Sequence, residues 1–236
     1  MKILLSTLII FVVSGLFQVT ISTEIVVEKS VRKIHLLEMG DSTKVELLLD
    51  LSRGLDGQPV EAMLAARSAL DLAEQNSFLI LIGKCYERIS LCKRDLGDYS
   101  SAINYSFRAL RIYDEQNLSN RTGALQLQIG THFGAENNYP KAITYISQAL
   151  NSFQQRKDST NIVLAMINLG ETYRLDGNAD SAAILFEECL ELNQKLNNDY
   201  VEMVKAMPGV TLDGICYPEQ RGSSHRTAEV CHGDSG

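Results

Sequence analysis

Tryptophan is missing from all 236 residues, proline occurs only four times, and aromatic side chains make up 7% of the chain. With so few prolines and with leucine, alanine, asparagine and glutamine abundant, little interrupts helix, and an all-α chain is the reading that composition favours. Positive charge is also short: 22 Lys and Arg stand against 29 Asp and Glu, a formal net charge of −7. That excludes the basic stripe with which proteins displace counterions from nucleic acid, so no nucleic-acid partner is expected. No block of like charge is long enough to make a solvated tail. The five cysteines are an odd number at wide spacing, which is no disulfide framework. Cys85, Cys92 and Cys189 are expected as small buried hydrophobes. No phosphate-cradling glycine loop, His-Glu-x-x-His or nucleotide fingerprint occurs, so neither enzyme activity nor a cofactor is expected.

Long apolar runs are absent too, except at the start. Met1-Lys2 is followed by an almost wholly apolar run from Ile3 to Phe17, and Thr20 and Ser22 stand at the −3 and −1 positions of a cleavage site. Residues 1–22 therefore read as a secretory signal peptide. The alternative is an uncleaved anchor, for which the run is short against the roughly 20 residues that a span needs. The chain is expected to be exported, periplasmic or secreted, with no stable membrane span after cleavage. Residues 23–42 read as a linker and lead-in helix that could cap the open end of a helical array.

What the chain does contain is a repeat. Ala62, Ala102, Ala142 and Ala182 recur at a spacing of 40, and Ala69, Ala109, Ala149 and Cys189 follow each by seven. Leu70, Leu110, Leu150 and Leu190 come next, while Gly57, Gly97, Asn137 and Gly177 precede each anchor alanine by five. Ser90, Gly130 and Gly170 stand twelve before the last three anchors, with Asp50 in the place of the small residue in the first copy. The Gly or Asn column suits a helix-ending turn, because these residues tolerate the left-handed conformation. Small residues seven apart leave one helix face open to a neighbouring backbone. The array is expected over 43–206, as units of about 43–82, 83–122, 123–162 and 163–202, with turns near 55–58, 95–98, 135–139 and 175–179. Residues 207–236 read as an irregular tail or a degenerate fifth unit.

These residues resemble the tetratricopeptide repeat. Asn168-Leu169-Gly170-Glu171-Thr172-Tyr173, then Asp176-Gly177 and Ala182, follow its Leu-Gly-x-x-Tyr … Gly … Ala signature, with Phe186 at the aromatic position. Gly97-Asp98-Tyr99-Ser100-Ser101-Ala102 matches the turn between its two helices. The family period is 34 and here it is 40, as in longer-helix members. The resemblance implies a right-handed α-solenoid of antiparallel helix pairs. Together with the leader, the segment from Asp41 to Ser52 is similar to the extracytoplasmic sensor arrays of Bacteroidetes-type signalling proteins. That implies a scaffold for a protein or peptide partner, the sensor portion of a truncated signalling protein. A secreted structural or assembly adaptor would share the fold.

Stacked hairpins of this kind bind on a concave wall made by the first helix of each unit. By register the inward candidates are Lys84, Glu87, Leu91 and Arg94 in the second unit, Thr131 in the third, and Asn168, Glu171 and Arg174 in the fourth. Leu47, Leu51, Leu91 and Leu127 occupy the polar-clamp positions of relatives that bind chaperone tails, which speaks against that specialisation. A different reading places a small hydrolase or metal site in the tail. Cys231-His232-Gly233-Asp234-Ser235-Gly236 is like the nucleophile motif of trypsin-like proteases, but a serine nucleophile needs a base and an oxyanion hole that helical repeats do not supply. Cys216, His225, Cys231 and His232 lack the paired short spacing of structural zinc sites, so no metal is expected.

Overall fold

The structure, a computed structural model, describes residues 25–55 and 57–196. Every regular element among them is an α-helix: α1 over residues 25–35, α2 Asp41–Arg53, α3 Pro59–Gln75, α4 Leu79–Asp95, α5 Tyr99–Glu115, α6 Ser119–Ala135, α7 Tyr139–Gln155, α8 Ser159–Leu175 and α9 Ala179–Leu196. Consecutive helices from α2 onward pack against each other, so the chain is an all-α solenoid of antiparallel pairs α2/α3, α4/α5, α6/α7 and α8/α9. The leader over 1–22 and the tail over 207–236 lie outside the described residues, as do residues 197–206 of the expected array.

The physical repeat is half the one visible in the sequence. From α3 to α8 each helix has 17 residues and each linker has three. The middle linker residue has positive φ every time: Ser77 (55°), Gly97 (76°), Asn117 (55°), Asn137 (59°), Lys157 (55°) and Gly177 (86°). In each linker the amide of that residue donates to the carbonyl three back, and the next amide donates to the carbonyl five back. Gly97 to Arg94 at 2.8 Å and Asp98 to Lys93 at 2.9 Å are one such pair. These bonds satisfy the carbonyls that a helix end leaves open and reverse the chain within three residues. Asp98 and Asp158 then start the next helix by accepting from the amides of Ser101 and Asn161.

The turns at Ser77, Asn117 and Lys157 also fix the phase of the repeat. Later units begin at Leu79, Ser119 and Ser159, four residues before the boundaries drawn at 83, 123 and 163. Those boundaries fall inside the first helices because the small-residue columns carry the period without its origin. The first unit departs further. Ser52 Oγ donates to the Ala62 carbonyl at 2.7 Å as Ser90 Oγ donates to the Ala102 carbonyl at 2.8 Å. Ser52, and not Asp50, is therefore the counterpart of Ser90. The offset from α2 to α4 is 38, and α2 ends about one turn early.

The columns are the packing surfaces. Ala62, Ala102, Ala142 and Ala182 are buried, as are Ala69, Ala109, Ala149 and Cys189. A Cβ on Gly170 would stand 2.6 Å from the Phe186 ring, and one on Gly83 equally near the Tyr113 ring. On Gly130 it would meet the Ile146 side chain and come within 3.1 Å of the Ala142 carbonyl oxygen. Cys85, Cys92 and Cys189 are buried free thiols, and burial raises the pKa of each. At the N-terminal end Val27 of α1 is buried, Val31 and Ile34 pack on the core, and His35 Nε2 lies 2.8 Å from Ser68 Oγ of α3.

Two substitutions separate turn geometry from packing. Lys157→Gly should raise the unfolding free energy by about 0.5–1 kcal/mol, since a β-carbon in the left-handed region costs more than glycine's unfolded freedom. Gly170→Leu should lower it by about 1–3 kcal/mol through overpacking against Phe186. Urea denaturation of both variants checks this, and destabilisation by Lys157→Gly would contradict the turn assignment.

Candidate functional site

The first helices α2, α4, α6 and α8 stand side by side, with α2 touching α4 and α6 touching α8 across the unit boundaries. A pocket of about 250 Å³ opens on this wall at the first three. Helix α2 lends Glu46 and Arg53, α4 lends Lys84, Glu87, Arg88 and Leu91, and α6 lends Arg121. Its position follows from the early end of α2. With a turn of helix missing there, Arg88 donates to Ser52 Oγ at 2.8 Å and to the Ser52 carbonyl at 2.5 Å. The 38-residue offset also sets Glu46 against Lys84, an ion pair of 2.5 Å between neighbouring first helices.

On the other side Glu87 accepts from the Tyr113 hydroxyl at 2.8 Å and from Arg121 at 3.5 Å. The Arg121 guanidinium lies over the Tyr113 ring, 5.6 Å from its centre. Burial and the Glu87 carboxylate together push the Tyr113 phenol pKa well up, so it stays a donor. Arg53 pairs with Asp50 outside the pocket, both more than half exposed.

Of the residues expected on the concave wall, Lys84, Glu87 and Leu91 come together here. The others line no part of this pocket. Arg94 pairs with the adjacent Asp95 at 2.8 Å, and Arg174 grips Glu171 with two bonds of 2.7 and 2.6 Å on the same helix. The Thr131 hydroxyl and Asn168 amide donate to carbonyls of their own helices, Gln128 and Leu164. Glu46, Arg53, Arg88 and Arg121 escaped the sequence reading. The 40-residue register misplaces every residue of α2 by two, and Arg121 lies before the boundary drawn at 123.

Behind the wall sits a buried polar cluster. Ser90 Oγ lies 2.7 Å from Ser106 Oγ and 3.1 Å from His132 Nε2, and the Gln128 side-chain amide donates to Ser90 Oγ at 3.1 Å. His132 thus joins α4, α5 and α6. It is fully buried, and its Nδ1 has no hydrogen-bond partner. Burial, assisted by Arg94 and opposed by Asp95, lowers its pKa to about 4. Among the described residues no group of three or more His, Cys, Asp and Glu could hold a metal, and no helix is long and apolar enough to cross a membrane. Cys216, His225, Cys231, His232 and Ser235 lie outside the described residues.

Comparison with known proteins agrees with the fold. Residues 121–195 match the family model for the tetratricopeptide repeat. No curated protein sequence matches. Among solved structures the chain is similar to a Rap protein complexed with Competence and Sporulation Factor (18% identity, TM-score 0.67), covering 76% of this chain and 50% of that one. It is similar to TPR-like repeats of a kinesin light chain type from Podosopora anserina (14%, TM-score 0.62), covering 74% and 86%. A signal-transduction ATPase with a tetratricopeptide repeat sensor from Pyrococcus horikoshii (15%, TM-score 0.66) is covered over 29% of its length by 76% of this chain. At these identities the likeness is one of fold. Residues 121–195 thus carry the tetratricopeptide repeat, and the described helices share the fold of such arrays.

The buried imidazole gives a pH test. Above about pH 6.5 His132 is neutral folded or unfolded. As pH falls toward about 4 the unfolded chain takes up a proton that the folded one refuses, so stability is lost through that window. The loss is roughly 3 kcal/mol in all at about 1.4 kcal/mol per unit. His132→Gln should flatten this part of the profile in denaturant titrations at successive pH values. An unchanged slope would mean that His132 protonates in place.

Proposed function

We propose that this tetratricopeptide-repeat array is an exported, non-catalytic scaffold that holds a segment of another protein on the wall of its first helices. We further propose that it serves as the sensor portion of a signalling protein. The observation that carries the first part is the pocket across α2, α4 and α6. There three successive first helices present charged and apolar side chains together. A pocket of about 250 Å³ suits a side chain or chain end better than a metabolite, since small-molecule sites run to roughly 300–1,000 Å³. The structural likeness to a Rap protein complexed with a factor and to an ATPase with a repeat sensor supports the sensor reading. Export rests on the charged start, the apolar run from Ile3 to Phe17 and the small residues Thr20 and Ser22.

Leu91 is half-buried at the pocket, away from the alanine and glycine columns. Leu91→Asp should therefore abolish capture of a partner by the full chain while shifting the melting temperature by no more than a few degrees. Cell fractionation with N-terminal sequencing tests export, with cleavage expected after Ser22. Retention in the cytoplasm with Met1 or Lys2 still at the N-terminus would overturn that part, and undiminished capture by Leu91→Asp would overturn the groove.

A further inference from the structure

We infer that the outer face of α1 docks the array on an anionic lipid surface, as a peripheral contact at the first end of the solenoid. With about 3.6 residues to a turn, Val27, Val31 and Ile34 share one side of this helix, and these are the side chains packed on the core. The opposite side carries Ile25, Lys29, Arg32 and Leu36, with Val26 and Lys33 on one flank and Glu28 and His35 on the other. Leu36 keeps to the helical path, its amide donating to the Arg32 carbonyl at 3.2 Å. The face is therefore apolar at both ends and basic between them. Ile25 is 45% exposed, Val26 60% and Leu36 83%. Single exposed aliphatic side chains are ordinary, but these share one side of one short helix.

The cations of this face are free to meet a new anion. Elsewhere in the array basic side chains are drawn into ion pairs, as Lys44 is with Asp41, Lys93 with Asp98 and Arg174 with Glu171. Lys29, Arg32 and Lys33 are exposed and stand in no such pair among the described residues. Lys29 and Lys33 are four apart, a spacing at which like charges weaken a helix until a counter-charge is supplied. In a chain of net charge −7 this basic face is a local inversion of sign, so an anionic surface attracts this end and repels the rest.

The mixture of side chains selects lipid as the occupant. Aliphatic groups can sink to the acyl boundary while ammonium and guanidinium groups stay with the phosphates above it. A second copy meeting the same face across a two-fold axis would set cation against cation. The place in the chain agrees: only residues 18–24 separate the apolar run ending at Phe17 from α1. In this the inference rests on the export reading, since an exported chain meets the membrane first at this end. His35 ties α1 to Ser68 of α3, a second helix, so docking here leaves the wall of α2, α4 and α6 open to a partner.

The test sediments the full chain with vesicles of phosphatidylglycerol mixed with phosphatidylcholine, and with vesicles of phosphatidylcholine alone. The ratio between the two is what is read, because the apolar run, where the chain retains it, adds to both alike. Binding should be at least about tenfold tighter to the mixed vesicles and should fall with added salt, each cation near an anionic surface counting for about fivefold. Lys29→Gln combined with Arg32→Gln should erase the preference, and Leu36→Gln should weaken binding to the mixed vesicles about tenfold. All three positions are exposed, so the melting temperature should not move. Equal binding to both vesicle types, or a preference that survives the double variant, would overturn the inference. Self-association abolished by Leu36→Gln, in place of vesicle binding, would give the face to a second copy and overturn it as well. Retention of the chain in the cytoplasm with the vesicle preference intact would sink the export reading alone and leave the lipid contact standing.

Discussion

One backbone constraint organises this molecule: a residue in the left-handed region at the middle of every three-residue linker from α3 to α9. It reverses the chain, supplies donors to the last carbonyls of one helix and aims the next helix back along the first. Because the helices between these turns are equal in length, small residues placed at one depth in a hairpin face small residues at the same depth in the next. The alanine columns pack closely only because the turns keep time. Within the hairpins, Gly83, Gly130 and Gly170 let the partner helix approach where a β-carbon would clash.

Function is found where that regularity fails. Helix α2 follows a 38-residue offset and stops early, and the loss of its last turn leaves the Ser52 carbonyl with a long bond from the Leu55 amide, 3.4 Å, and a shorter one from Arg88 of the next unit. A side-chain donor adds to the turn amide, and a guanidinium is thereby held in the wall between units. Glu46 with Lys84 and Glu87 with Arg121 then bridge α2 to α4 and α4 to α6. These ion pairs between first helices are partly exposed, whereas the alanine and glycine contacts within hairpins are apolar and closed. A partner can therefore rearrange the wall without disturbing the columns behind it.

The fold was legible in the sequence because its period is carried by residue size, and size is what composition columns report. Ala102, Ala109 and Gly130 have few substitutes at those depths. The turns between units were hidden because Ser77, Asn117 and Lys157 adopt the left-handed conformation without being glycine, so only every other turn showed. The site was legible in part. Lys84 and Glu87 followed from register, but Glu46, Arg53 and Arg88 depend on an offset in α2 that a fixed 40-residue count conceals. His132 gave no periodic signal, since its partners Ser90 and Ser106 come from two other helices.

The central claim, that the wall of first helices around α2, α4 and α6 is the working surface, is tested most directly by hydrogen exchange. The full chain would be measured free and with a captured partner, and the two sets of rates compared peptide by peptide. The account predicts slowed exchange in α2, α4 and the start of α6, where Arg53, Leu91 and Arg121 meet the cavity. Slowed exchange confined to α3, α5 and α7, with the first helices unchanged, would place the partner on the opposite face and contradict it.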